Sequence, residues 1–473
     1  MSAWKADVRL LFRAPLSVGA LLLLLLLTTL SVVAGLAAAA RQKAVIERVE
    51  AAQRMDLASV TREHGKPDGV AGSAAYYTFH LTTDPPSPLA FAALGQRDVQ
   101  PHVLRVRLLG LQSQLYESET LNPELALPGA FDFAFVLTYL APLVIIALMH
   151  DLVSSEREAG RFRLLVSMPT SGLGVWMRRS TLRYLLVLGA LLAPLMLGAV
   201  ISRASVAGTF AIALTAALYV AFWLGLALLV AAWGRSSAAN GATLVGCWIV
   251  LTLLAPALAN AVISRAIPVA KGIDLTLAQR ELVHRAWDIP KEETFRPFFV
   301  KHPEWRDTPP VLGRFHWKWY YAMHEVGDDG VSAEVAEYRR SLTAREAWTA
   351  RLGWILPAAA VQTILHRAAD SDLLAHLEYQ LSIERFHTRL RDFYYPYMFH
   401  ERPFQKADFE QMPRYQPRPS SASLPVSPML GLLVLAALVS GAAVIGVRAL
   451  SSGVSTKFLD RVWAPKTRSE SPA

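Results

Sequence analysis

Apolar runs of membrane length constrain this chain more than any other feature. The run from Pro15 to Ala40 is unbroken leucine between Leu21 and Leu27. A helix rises 1.5 Å per residue, so about 20 residues cross a hydrocarbon core of about 30 Å. Five further runs, 131–150, 184–201, 208–233, 240–263 and 429–450, reach or approach that length. Hydrophobic residues make up 53% of the 473 and charged ones 18%, below the quarter usual in soluble domains. The expected fold is an all-α membrane protein with six transmembrane helices. A cleavable signal peptide competes for the first run, which ends in the small residues Ala37–Ala40. Its length and the acidic Asp7 before it favour a retained span.

Two long polar stretches interrupt the runs. Residues 41–128 predict a small mixed α/β insertion. Arg41–Ala58 reads as a helix continuing out of the first span, and Tyr76–Leu81 and Val103–Leu109 as short strands separated by Asp84-Pro85-Pro86-Ser87-Pro88. Residues 264–427 predict a mainly helical insertion, with helical apolar spacing over Leu275–Ala286, Ala333–Arg351 and Asp372–Phe393. Pro142, Pro194 and Pro256 fall inside spans, where they predict kinks.

Orientation follows from Lys and Arg in the short loops, which stay on the cytoplasmic side. Arg157, Arg161, Arg163, Arg178, Arg179 and Arg183 flank the 151–183 loop. Lys5, Arg9, Arg13, Arg235, Arg448, Lys457, Arg461, Lys466 and Arg468 fall on the same side, and only Arg203 occupies the short loop opposite. Both termini and the 451–473 tail are therefore expected in the cytoplasm, and both insertions outside it. The leading residues 1–14 place Trp4, Val8, Leu11 and Phe12 at helical spacing between basic residues, the pattern of an interfacial helix on membrane lipid.

Several chemistries are excluded or weakened. The net charge of +9 is spent largely at the ends of apolar runs, so no nucleic-acid partner is expected. Cys247 is the single cysteine, which rules out disulfides and paired thiols within the chain. No G-x-x-x-x-G-K-(S/T) phosphate loop and no G-x-S-x-G nucleophile elbow occurs. His324-Glu325 and His400-Glu401 imitate a zinc-protease helix, but Asp328 and Phe404 stand where the second histidine is needed. No cofactor, metal or catalytic residue is expected on this chain. Ionisable residues are almost absent from the spans, against the habit of ion-driven carriers.

The segment His150–Pro169 carries the sharpest signal. Ser154 or Ser155 can cap a helix whose first turn holds Glu156 and Glu158. Phe162, Leu164, Leu165, Val166 and Met168 then give it an apolar side, and Pro169 ends it. Anchoring to the membrane surface is one reading of this pattern, and docking of another protein is the other. The segment resembles the one after the second span in permeases of ABC type-2 exporters, D-x-x-(S/T)-x-E-R-E-x-G followed by an apolar stretch ending in S-x-P. Asp151, Ser155, Glu156, Arg157, Glu158, Gly160, Leu164, Leu165, Ser167 and Pro169 match it. NPELALPGAFDF, with Asn122, Pro123, Gly129, Phe131 and Asp132, resembles that family's approach to the second span. ILPAAAVQTILHRAADSDLLAH and ADFEQMPRY resemble the outward domain of one branch, known only as a domain of unknown function. Its usual Gly-Thr-Asp is Asp370-Ser371-Asp372 in this chain.

That resemblance implies the permease subunit of an ATP-driven exporter in the bacterial inner membrane. It implies a second, identical or related permease subunit and a separate cytosolic ATPase that binds ATP and Mg. The substrate is not implied. Asp151, Ser155, Glu156, Arg157, Glu158, Gly160, Phe162, Leu165 and Pro169 become the expected contact with that ATPase. A membrane-anchored extracytoplasmic enzyme or binding protein, and an ion-coupled carrier, are the competing functions.

Overall fold

The computed structural model describes residues 3–116, 129–166, 172–233, 236–420 and 425–451. It is mostly helical, and six helices are long and apolar enough to cross a membrane: Pro15–His64, Phe133–Glu158, Leu173–Ser202, Val206–Ala232, Ser237–Ala266 and Val426–Leu450, called spans 1 to 6. Span 4 runs through the middle of the bundle, with Ala216, Tyr219, Val220 and Ala227 wholly buried. It packs along span 6 and against spans 2 and 3, while span 1 lies along span 3. Lipid tails supply no hydrophobic drive between helices, so small residues that admit close backbones hold such contacts. At Gly225 of span 4 an added Cβ would lie 3.1 Å from the Ser440 amide nitrogen of span 6. Span 5 is peripheral, with only 17% of its apolar window buried.

The three prolines act differently. Pro194 lies inside an otherwise regular helix. Before Pro142 and Pro256 the chain winds into π turns, Val136–Leu140 and Ile249–Leu254. Proline lacks the N–H that the carbonyl four residues back would accept. In span 2 that carbonyl, Thr138, instead accepts the Tyr219 hydroxyl at 2.9 Å, and the next one, Tyr139, accepts Trp248 Nε1 at 3.2 Å. Neighbouring spans thus satisfy the backbone that the proline left open, as a membrane interior requires.

Span 1 is a single helix of 50 residues, roughly 75 Å long, and its far half leaves the bundle to support both insertions. The first insertion holds the helix Ala71–Tyr77 and a hairpin of β1 (His80–Thr83) antiparallel to β2 (Val103–Val106), with His80 opposite Val106. Both expected strands are shorter than their alternation suggested. Tyr76 and Tyr77 belong to a helix whose Ala71, Ala74 and Ala75 are buried, closed by the Thr78 hydroxyl donating to the Ala74 carbonyl. Beyond β2, the Arg107 N–H leaves the ladder for the side-chain oxygen of Gln114.

The second insertion is helical, built from Gly272–Arg285, Lys291–Lys301, Trp317–Gly330, Ser332–Leu352, Pro357–Ala368, Leu373–Phe399 and Lys406–Gln411. It does not stand apart from the first. Ala71, Ala74 and Leu108 share one core with Phe298, Tyr321, Phe386 and Tyr394, and Val106 and Leu111 share another with Leu275, Tyr338 and Leu377. The two insertions make one composite domain.

Two pieces of that domain enter the bundle. The segment Leu89–Leu94 is buried among spans 1, 2 and 3 although its backbone is not helical. Irregular backbone at that depth needs protein partners, and it has them. Leu94 N–H donates to Asp132 Oδ2 at 2.8 Å, the Ala92 carbonyl accepts from Ala134 N–H, and the Ala93 carbonyl accepts the Ser371 hydroxyl. Gly35 of span 1 and Gly198 of span 3 leave the notch for Phe91, since a Cβ at either would collide with it. The second piece is the 12-residue helix Pro357–Ala368, whose Ala360, Val361, Ile364 and Leu365 join the core of the spans. At about 18 Å it is too short to cross.

That helix ends in a left-handed residue, Asp370, at φ 55°. Asp370 N–H bonds the Arg367 carbonyl and Ser371 N–H bonds the His366 carbonyl, the closing pattern in which glycine is usual and aspartate is tolerated. Asp372 then caps Leu373–Phe399 by accepting from Ala375 N–H. The Asp370 carboxylate meets Arg418 Nη2 at 3.2 Å. Arg418 also reaches Asp84, which pairs with Arg97 at 2.7 Å. This buried chain of charges ties the last strap of the domain to the segment that enters the bundle.

Candidate functional site

At the end of the bundle away from the domain, residues 150–166 form two short helices, Ser154–Glu158 and Phe162–Val166. Neither serine caps the first of these. Its N-cap position is Val153, with no side-chain cap, and Ser154 instead meets the Ser237 hydroxyl at 2.8 Å. The turn between the helices is set by Gly160 at φ 71°. Gly160 N–H bonds the Arg157 carbonyl and Arg161 N–H bonds the Glu156 carbonyl, both at 2.9 Å, the six-residue closure that places a left-handed residue after a helix. No atom lies within 4 Å of where a Gly160 Cβ would be, so backbone conformation alone demands the glycine.

Glu156 was expected to reach a partner protein, but both of its oxygens are used inside the chain. Oε2 accepts from Arg161 Nε at 2.7 Å and Oε1 from Arg179 Nη1 at 2.9 Å, and Glu156 is buried. Arg179 and Arg178, at the start of span 3, also hold Asp7. One carboxylate from the leading helix Ala3–Phe12 and one from Ser154–Glu158 thus close on the same arginine. Burial of Asp7 turns Leu11 inward with it and leaves Trp4, Leu10 and Phe12 exposed, a different apolar face from the one the spacing suggested.

Glu158 caps span 5. Its Oε1 accepts from the Ser237 N–H at 3.0 Å and from the Ser237 hydroxyl at 3.1 Å, where the positive end of the helix favours a carboxylate. The Asn240 side chain donates to the His150 carbonyl at 3.3 Å, adding a second tie to span 5. Arg157 lies over the Phe162 ring at 4.8 Å, and Phe162 stacks near Trp176 at 6.3 Å. Phe162 and Leu165 pack against the core of the spans, so they too are largely internal. Asp151 and Ser155 are half-buried at the start of the turn, and the Asp151 carbonyl accepts from Ser155 N–H. Pro169 lies outside the described residues. Among the residues of this segment whose side chains are described, Glu158, Ala159, Gly160, Arg161 and Leu164 remain exposed.

Sequence reasoning missed Asp7, Arg178, Arg179, Trp176 and Ser237. The Arg178-Arg179 pair was visible, but only as positive charge in a loop. Its partners lie on other elements, and nothing in the local pattern names them.

The histidine fragments are occupied structurally. His324 Nδ1 accepts from Gly110 N–H, and Glu325 meets His302 Nε2 at 2.8 Å and the Tyr395 hydroxyl at 2.6 Å. Those contacts, with Arg391 and Lys301 nearby, hold the Glu325 carboxyl well below its usual range despite burial. Among the described residues no group of three or more His, Cys, Asp or Glu side chains is placed to hold a metal ion.

Residues 273–418 match a family model described as Domain of unknown function (DUF3526). The match begins in Gly272–Arg285 and ends on Arg418, the arginine that pins the domain's last strap. No curated protein and no solved structure matches the chain.

Proposed function

We propose that this chain is the permease subunit of an ATP-driven exporter of the ABC type-2 class, with 151–169 as the segment that takes a separate cytosolic ATPase. The observation that carries the reading is the bracing of that segment. Glu156 fixes it to span 3, Glu158 and Ser154 fix it to span 5, and its own chain continues span 2. A push on its exposed residues, Ala159, Gly160, Arg161 and Leu164, is thereby delivered to three spans at once. A loop that only joined two helices would not need an ion pair to one neighbour and a carboxylate hydrogen-bonded to the other. In this reading ATP and Mg are bound by the partner and hydrolysis belongs to it. The domain then faces outward, both termini are cytoplasmic, and lipid and a second permease subunit cover the apolar faces left open on spans 1, 5 and 6.

The test is recruitment. Full-length tagged chain is expected to co-purify with an ATPase bearing a G-x-x-x-x-G-K-(S/T) loop and to alter its ATP turnover. Ala159→Glu combined with Leu164→Asp, both exposed and neither part of the brace, should abolish recruitment without unfolding the chain. If that double variant recruits and couples the ATPase as the parent does, the segment is not the contact.

A further inference from the structure

A cleft of about 890 Å³ opens where the composite domain meets the bundle. One wall is a face of the helix Leu373–Phe399, and the other is the strap Gln416–Ser420, which leads into span 6 from Val426. Arg367, Arg385, Arg389 and Arg418 line it together with the carboxylates Asp372 and Glu378, and behind it Arg367 also pairs with Glu346, and Arg418 with Asp84 and Asp370. Those carboxylates are engaged: Asp372 with Arg367 at 3.4 Å and Glu378 with Arg385 at 2.9 Å. Arg389 has no carboxylate within 4 Å among the described residues, and its guanidinium rests over Phe386 at 5.6 Å.

Arg385 and Arg389 stand four apart on one exposed helix face, a like-charge spacing that destabilises a helix unless an anion lies between them. Arginine is also the side chain best suited to phosphate, which its planar fork grips with two donors. The volume falls in the range of organic ligands rather than of a bare ion. Leu374, Pro417 and Pro419 give the cleft an apolar side. Its depth is set by its neighbours: Asp372 directly follows the helix buried among the spans, and the strap directly precedes span 6.

We propose that this cleft binds a phosphate-bearing amphiphile, with the phosphate between Arg385 and Arg389, at the edge of the field of Arg418, and the apolar body along Leu374, Pro417 and Pro419. The site is independent of the transport reading, because it involves neither the 151–169 segment nor an ATPase.

The test uses detergent-solubilised full-length chain titrated calorimetrically with dioctanoyl phosphatidylglycerol, dioctanoyl phosphatidylcholine and glycerol 3-phosphate. Saturable binding of the phosphatidylglycerol below about 1 mM is expected, with the zwitterionic lipid at least about tenfold weaker. Arg385→Gln with Arg389→Gln should weaken it about ten- to hundredfold, the loss expected for charge-assisted hydrogen bonds. Arg296→Gln with Arg340→Gln, exposed arginines elsewhere on the domain, should leave it unchanged. Equal affinity for glycerol 3-phosphate would keep the phosphate site and remove the lipid as its source. Binding that is absent, or equal in the parent and the Arg385/Arg389 variant, overturns the proposal.

Discussion

Replacing Glu156 by Gln separates a brace from a docking residue. The shape is kept and the charge is lost. Of its two ion pairs, the one to Arg161 involves a side chain 61% exposed, and such a pair contributes only about 0–1 kcal/mol. The one to Arg179 is enclosed, at 12% and 7% exposure, and a hydrogen bond to a charged partner there contributes about 1.5–3 kcal/mol. The full cost of stranding a buried charge, about 3–5 kcal/mol, is not reached because Arg179 keeps Asp7 at 3.3 Å. A net loss of about 2 kcal/mol is expected, confined to the 154–166 turn and to Ala3–Phe12. Local opening at that cost raises amide exchange about thirtyfold. Hydrogen–deuterium exchange on the isolated chain reads it directly, with the Pro357–Ala368 helix as an internal reference. If exchange in 154–166 is unchanged while recruitment of the ATPase is lost, Glu156 is a contact and the bracing account is wrong.

Four further outcomes follow from the same geometry. Gly160→Ala should destabilise the turn by about 1 kcal/mol because the left-handed conformation meets a Cβ, and Gly160→Asn by less; local exchange ranks the two. Tyr219→Phe should cost about 1 kcal/mol by leaving the Thr138 carbonyl open, and combining it with Pro142→Ala should remove most of that coupling in a thermal-melt double-mutant cycle. Gly35→Leu should force Phe91 from its notch at about 1–3 kcal/mol, read as a lower melting temperature and new protease access near residues 87–96. The domain should lose stability as pH falls from about 6.5 toward 4. Burial pushes His80 and His387 down to about 3 and His376 to about 4, below their unfolded value of about 6.5. Their neutral forms therefore favour the fold above pH 6.5, and that contribution fades as protons bind the unfolded chain first. His302 works the other way, raised chiefly by its hydrogen bond to Glu325. Its contribution is complete below about pH 6.5 and fades as pH rises through its elevated value, so His302→Gln should flatten the alkaline side of the melting profile.

Composition and spacing by themselves determined the six spans, because a run of apolar residues long enough for the bilayer core has few other places to go. They also determined where two of those spans would distort, since Pro142 and Pro256 remove a donor wherever they sit. Gly160 was legible as a motif position, and its reason, a positive φ after a short helix, is local too. Only the tertiary structure decided which partners these residues have. Leu89–Leu94 and Pro357–Ala368 lie in stretches that read as domain; the first is buried in the bundle because Gly35 and Gly198, far away in sequence, leave room for Phe91 and Asp132 and Ser371 satisfy its backbone, the second because its Ala360, Val361, Ile364 and Leu365 join the core of the spans. Glu156 carries the same charge whether it faces a partner or Arg179, so its sequence context could not show that it is spent inside the chain. Hydropathy is a sum along the chain and survives without a fold. An ion pair between residues 156 and 179, or between 84 and 418, is fixed only when the fold brings them together.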